Sequence, residues 1–162
     1  MRCTSPARDS PYWPLTSARR VWSSCAKPPR PKTVTGRVTT AVHDVREPLP
    51  LANTSVDAVF AHMLLCMALS TQEIHALVAE VRRVLRPGGV FVYTVRHTGD
   101  AHYQAGDGHG DDIWEHGGFA VHFFHRDLVD ALARSWTLDE VAAFEEGGLP
   151  RRLWRVTQTV PR

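Results

Sequence analysis

Residues 56–95 constrain the fold of this chain more than any other stretch. Val56-Asp57-Ala58-Val59-Phe60-Ala61 is apolar apart from its acid, the pattern of a strand covered on both faces. Met63–Leu69 stays apolar and reads as a short helix turning out of the sheet. Ser70 and Glu73 then have capping-box spacing, in which the serine oxygen accepts the third-position amide and the glutamate reaches back. Ile74, Leu77, Val78, Val81 and Leu85 follow at helical spacing, so a helix is expected over Ser70–Arg86. Pro87-Gly88-Gly89 stops it, and Val90–Val95 reads as a second buried strand. Two strands joined by a helix form a parallel pair through a right-handed crossover, the unit of doubly wound sheets.

The flanks extend this α/β unit. Arg37–His43 is rich in β-branched residues and reads as a further strand, and Asp44–Ser55 as a loop punctuated by Pro48 and Pro50. Residues 96–122 contain six glycines and read as one long polar loop, functional or mobile. Arg126–Ser135 reads as a helix with Leu128, Val129 and Leu132 inward. Trp136–Phe144 and Leu153–Val160 alternate around Glu145–Pro150 and should pair as a terminal antiparallel hairpin.

The first 36 residues are of another kind. Six prolines break every period, and disorder is expected there. The segment reads as unselected sequence, a mis-set start or frameshift in place of an original N-terminal half. Two segments follow: a disordered Pro/Arg-rich stretch over 1–36 and a partial α/β domain over 37–162. Residues 1–37 carry eight basic residues and one acid, whereas 38–162 carry eleven arginines and sixteen acids. The mildly acidic second part argues against nucleic acid as a partner. No apolar run approaches the length needed to span a bilayer. Three cysteines without metal-ligand spacing fit a reducing, cytoplasmic compartment.

In an open α/β sheet, ligands bind beyond the C-terminal ends of the strands, which puts Asp44-Val45, Ala61-His62-Met63 and Arg96-His97 on one rim. An acid after one strand, Asp57 opening the next, and then Leu85-Arg86-Pro87-Gly88-Gly89 resemble the second half of class I S-adenosylmethionine-dependent methyltransferases. The resemblance covers roughly residues 37–160. It implies a truncated doubly wound, Rossmann-like sheet whose full spatial order is 3-2-1-4-5-7-6, of which this chain supplies the third to seventh strands. S-adenosylmethionine is the implied cofactor. Asp44 would accept the adenine amine and the Val45 amide would meet the ring, while Ala61, His62 and Met63 would lie along the methionine part. Gly36 is the only glycine before Gly88, so the family's glycine-rich cofactor loop has no counterpart upstream.

Candidate residues for a small-molecule methyl acceptor are Arg96, His97, Tyr103, His116, Arg151 and Arg152, the arginines favouring an anion. Methyl transfer rests largely on positioning, and no catalytic residue stands out. The histidines and aspartates of 97–125 lack a His-x-x-x-His pair or a repeated short spacing, so no metal site is expected. A nicotinamide enzyme would also need a glycine fingerprint. The expected function is a methyltransferase by ancestry, inactive if the loop is indispensable. The alternative is a non-catalytic α/β remnant that binds a partner through an open sheet edge.

Overall fold

The computed structural model describes residues 37–147 and 151–162. The expected disorder of residues 1–36 lies outside the described residues. The chain divides into two compact units, Met1–Val42 and His43–Arg162. In the first, the described residues 37–42 form no strand, which corrects the strand expected over Arg37–His43. Val38 and Val42 are 69% and 94% exposed. β-branched side chains favour a strand only where they pack against neighbours, and these two do not.

The second unit begins its regular structure with β1 (Val56–His62), α1 (Thr71–Val84) and β2 (Leu85–Arg96). β3 (Asp107–Gly108), β4 (Ile113–His116), β5 (Phe119–His122) and α2 (Arg126–Leu132) follow, and β6 (Thr137–Glu146) and β7 (Arg151–Thr159) close the unit. The main sheet has the order β1-β2-β7-β6. β1 and β2 are parallel, whereas β7 is antiparallel to both β2 and β6. This is the 4-5-7-6 end of the expected sheet, with the parallel crossover and the terminal hairpin both in place.

α1 forms where the capping box predicts it. Ser70 Oγ accepts the Glu73 amide at 3.2 Å, and the Ser70 amide donates to Glu73 Oε2 at 2.8 Å. Ile74, Leu77, Val78 and Val81 are buried along one stripe, in one cluster with Phe91, Tyr93 and Val95 of β2. The helix stops at Val84, two residues before the expected end, because Leu85 turns extended and opens β2. Arg86-Pro87-Gly88-Gly89 therefore does not end the helix. It bulges out of the ladder, since Val56 pairs with Leu85 and Ala58 already with Val90. Gly88 sits at φ +78°, and a Cβ on Gly89 would fall 2.8 Å from the Arg86 carbonyl oxygen. Gly88 donates to the Val160 carbonyl and Val160 donates back to Gly89, each at 2.9 Å, which ties the bulge to the end of β7.

Three further expectations are corrected. β1 is not covered on both faces: Asp57, Ala58, Phe60 and His62 are exposed, with Phe60 at 68%. The buried residues of α1 and α2 join one cluster with Phe91, Tyr93 and Val95, so helices cover one face of the sheet among the described residues. Residues 63–69 form no helix, because Met63 and Ala68 take left-handed backbone at φ 55° and 48°. The segment instead lies as irregular chain with Leu65, Cys66 and Leu69 buried.

The third correction concerns residues 96–122, expected as one loop: Arg96 closes β2, and 97–122 form an excursion. It folds into a second antiparallel sheet in the order β3-β4-β5. Gly117 and Gly118, at φ 60° and 79°, form the two-residue turn between β4 and β5. Two consecutive positive φ angles define the turn that best matches strand twist, and glycine adopts them without cost.

Candidate functional site

The C-terminal ends of β1 and β2 form the floor of the rim. The Met63 amide donates to the Thr94 carbonyl at 3.0 Å and lies 3.1 Å from Thr94 Oγ1. That register holds Ala61, His62 and Met63 in one line, with Ala61 buried and Met63 half-buried. The His62 ring is hydrogen-bonded at one nitrogen and faces an acid with the other. Nδ1 shares a proton with Thr94 Oγ1 at 2.8 Å, and Nε2 faces Glu146 Oε1 at 3.7 Å. Its ring also stacks on Phe60 with centroids 6.3 Å apart. Thr94 and Glu146 are thus positioning partners that sequence reasoning did not single out.

Asp44 and Val45 reach the same end of the unit by way of α1. Arg46 pairs with Glu73 of the first helical turn at 2.9 Å. The chain then runs down the helix: Leu49 donates its amide to Glu80 at 2.9 Å, and Arg83 donates to the Leu49 and Leu51 carbonyls, each at 2.9 Å. The hydrogen bond from Arg83 holds the Glu80 carboxyl below its usual range. Asp44 starts a side-chain turn. Its Oδ1 accepts the Arg46 amide at 3.0 Å and its carbonyl accepts the Glu47 amide at 3.0 Å. Oδ2 accepts no hydrogen bond among the described residues, and the carboxylate is half-exposed.

The acceptor candidates converge on one buried charge pair. Arg96 donates Nε to Asp100 Oδ2 at 3.1 Å and makes a second, shorter bond from Nη2 to Oδ1. The Asp100 side chain is 1% exposed and also accepts the amides of His102 at 2.9 Å and Arg152 at 2.8 Å. Burial alone would raise its carboxyl. The bonds from Arg96, the two amides and the arginine charge outweigh that and hold it low. Arg96 also reaches His102 Nδ1 at 2.7 Å and lies over the Phe123 ring. It is therefore largely neutralised from within.

Around this pair the other candidates divide. His97 stacks on Trp154 at 4.8 Å, and burial keeps its ring less basic than usual. His116 stacks on His102 at 4.9 Å, and Arg152 donates to the Gly99 carbonyl at 2.9 Å while facing Glu145 at 3.3 Å. Arg96, His97, His116 and Arg152 thus belong to one network through Asp100 and His102. Tyr103 turns away, bonding Asp112 at 3.0 Å and packing on Phe123. Arg151 sits at the exposed edge, 3.8 Å from Glu146. Asp100 is the centre that sequence reasoning missed as such, and its spacing of four from Arg96 was the available signal.

His122 is structural. Its Nδ1 meets the Leu69 carbonyl at 2.7 Å, and burial holds the ring less basic than usual. Burial also pushes the Cys66 thiol up to about 11, so it is a packed apolar group and not a nucleophile. Among the described residues, no three His, Cys, Asp or Glu side chains stand where they could share a metal ion. No described helix is long and apolar enough to cross a membrane.

A family model described as a methyltransferase domain matches residues 18–93, just under half of the chain. The match begins inside the segment read from sequence as foreign to the domain. No curated protein matches the chain by sequence. Among solved structures, a SAM-dependent methyltransferase of Methanosarcina mazei superposes with a TM-score of 0.62 at 16% identity. That alignment covers 90% of this chain and 78% of that one. The 1,6-didemethyltoxoflavin-N1-methyltransferase of Burkholderia thailandensis, solved with 1,6-didemethyltoxoflavin and S-adenosylhomocysteine, gives 0.55 at 16%, over 73% of this chain and 48% of that one. The N-methyltransferase NodS of Bradyrhizobium japonicum, solved with S-adenosylhomocysteine, gives 0.53 at 11%, over 75% and 54%. This chain thus spans about half the length of the last two. The family model and the shared fold bear out the resemblance to class I S-adenosylmethionine-dependent methyltransferases.

Proposed function

We propose that this chain is, by ancestry, a cytoplasmic S-adenosylmethionine-dependent methyltransferase of a small-molecule acceptor. The observation that carries the reading is the rim itself. A parallel β1–β2 pair ends in Ala61-His62-Met63, pinned by Thr94, while Asp44-Val45 is fastened to the first turn of α1. The residues present fit two parts of the cofactor. Asp44 keeps Oδ2 free to accept an exocyclic amine, and residues 61–63 offer a line of chain for the methionine part. The cofactor would supply a methyl group on a sulfonium. What the chain supplies is orientation, with the buried Arg96–Asp100 pair fixing the floor under His97 and Arg152. The Burkholderia methyltransferase, solved with 1,6-didemethyltoxoflavin, supports the acceptor class. The buried Cys66 thiol is in keeping with a reducing compartment.

Within this 162-residue chain Gly36 is the only glycine ahead of Gly88, which bears on affinity. Asp44 and Val45 supply about two hydrogen bonds, each about 1 kcal/mol net. A micromolar complex needs about 8 kcal/mol. The chain as given should therefore bind S-adenosylmethionine no tighter than about millimolar, without detectable methyl transfer. Isothermal titration tests this, and a micromolar constant would overturn the weak-binding reading. A version carrying a glycine-rich loop ahead of β1 should bind well, and there Asp44→Ala should cost about 1–2 kcal/mol. Failure of that version to bind would overturn the methyltransferase reading. It would favour instead the non-catalytic binding module, for which the exposed Phe60 on the outer strand β1 is the supporting feature.

A further inference from the structure

On the outer side of α1, the end of α2 and the turn after it line a half-open hollow of about 210 Å³. His75, Arg82, Arg134, Ser135 and Trp136 line it together with small apolar residues, and no acidic residue does. His75 and Arg82 are seven apart on α1, two turns along one face. The Arg82 guanidinium lies over the Trp136 ring, its carbon 5.5 Å from the centroid. Arg82 Nη1 is buried and has no hydrogen-bond partner. The aromatic face attracts the charge but accepts no strong hydrogen bond, so Nη1 is spent against the ring, and an anion in the hollow would meet the guanidinium nitrogens that stay in reach of solvent.

The charges nearby leave the hollow without an acceptor. Eight described arginines stand in ion pairs. Of the four others described, Arg37, Arg82, Arg134 and Arg162, none stands in an ion pair, and Arg82 and Arg134 line this cavity. The acids closest to them in sequence are already engaged, Glu80 by Arg83 at 2.8 Å and Asp130 by Arg126 at 3.0 Å. Two unpaired guanidinium groups, an imidazole and a hydroxyl around a small hollow make a set of donors without an acceptor.

We propose that this cavity is an oxyanion site that takes inorganic phosphate or the phosphate of a small phosphomonoester. Guanidinium groups hold tetrahedral oxyanions through paired, charge-assisted hydrogen bonds. Ser135 can donate one more, and His75 adds a donor on each protonated ring nitrogen. Along α1 the lining runs from His75 to Arg82, so it starts about 3 Å beyond Glu73 of the first turn and ends about 14 Å beyond it at 1.5 Å per residue. A ligand there would clamp α1 to the turn after α2 through Arg82 and Arg134.

The test is a titration of the full chain with inorganic phosphate at constant ionic strength, sodium chloride making up the difference, read by calorimetry and by melting temperature. Saturable binding with a rising melting temperature is expected in the native chain. Arg82→Gln and Arg134→Gln should each weaken the apparent affinity at least tenfold, while Arg155→Gln, a surface arginine paired with Glu140, should leave it unchanged. Arg134 is exposed, so its variant reports even if the Arg82 variant folds poorly. Phenyl phosphate against benzoate distinguishes a phosphate site from a carboxylate site, and equal binding of the two would overturn the phosphate assignment. A response that chloride reproduces, or one that both cavity variants retain, would overturn the site altogether.

Discussion

The crossover over residues 56–96 and the excursion over 97–125 share one apolar core, to which the excursion gives Val121, Phe123 and Phe124, but the excursion adds a set of polar ties that the crossover lacks. In the crossover, one stripe of α1 meets alternate residues of β2, and the contacts are nearly all apolar. In the excursion, aspartates and histidines hold the turns. Asp100 binds Arg96, His102 and Arg152, Asp111 binds Thr71, Tyr103 binds Asp112, and His122 binds the Leu69 carbonyl. Apolar burial is roughly proportional to area and tolerates small displacements. Directional bonds to buried charges do not, since losing one partner strands the other. The excursion should thus fail abruptly and locally, and the crossover gradually and as a whole.

The largest effect expected is that of Asp100→Asn. It strands the Arg96 guanidinium in a buried setting and should cost about 3–5 kcal/mol. Hydrogen exchange should show β3–β5 and the start of β7 losing protection before α1 does. If α1 exchanges in step with them, the contrast between the regions is false. Leu77→Ala comes next, with an expected loss of about 2–4 kcal/mol because Leu77 is 4% exposed in the core. Here chemical denaturation should show one transition moving as a unit. A loss below about half a kcal/mol would place Leu77 off the packed stripe.

Ser70→Ala removes one half of the capping box and should cost about 1 kcal/mol, seen as fraying of the first turn of α1. The smallest effect is that of pH. His97 and His122 are less basic folded than unfolded, so below about pH 6.5 the unfolded chain binds more protons and stability falls. Asp100 is more acidic folded, so its contribution is complete above about pH 3.8 and is lost as pH falls through its lower folded value. Melting temperature should decline first below pH 6.5 and again in strong acid. A flat profile between pH 7 and 5 would remove the histidine part of this account.

What was legible in the sequence follows the same division. The 3.6-residue stripe of α1, its cap and the two apolar strands around it announce themselves because burial imposes a period. The bulge at Arg86–Gly89 was misread as a helix stop, since proline and glycine mark an interruption without saying which element is interrupted. In the excursion, Ile113-Trp114-Glu115-His116 and Phe119-Ala120-Val121-His122 flank Gly117-Gly118, a hairpin signal masked by the surrounding glycines. At the rim, Asp44-Val45 and Ala61-His62-Met63 were placed by the rule for open sheets. Thr94 and Glu146 were not, because cross-strand partners carry no local spacing. Val38–Val42 shows the converse, a sequence with strand character and no packing to realise it.

Asp111 makes the bond between the two regions concrete. With its own backbone at φ 53°, it bonds the amide and the hydroxyl of Thr71, each at 2.5 Å, from forty residues away. Helix α1 thus owes part of its first-turn closure to a side chain outside the crossover. Few residues meet both demands, since the left-handed backbone favours glycine, asparagine and aspartate, and the helix start asks for an acceptor. Over evolutionary time, positions 71 and 111 should accordingly change together or not at all, with glycine at 111 arising only where residue 71 has ceased to be a hydroxyl.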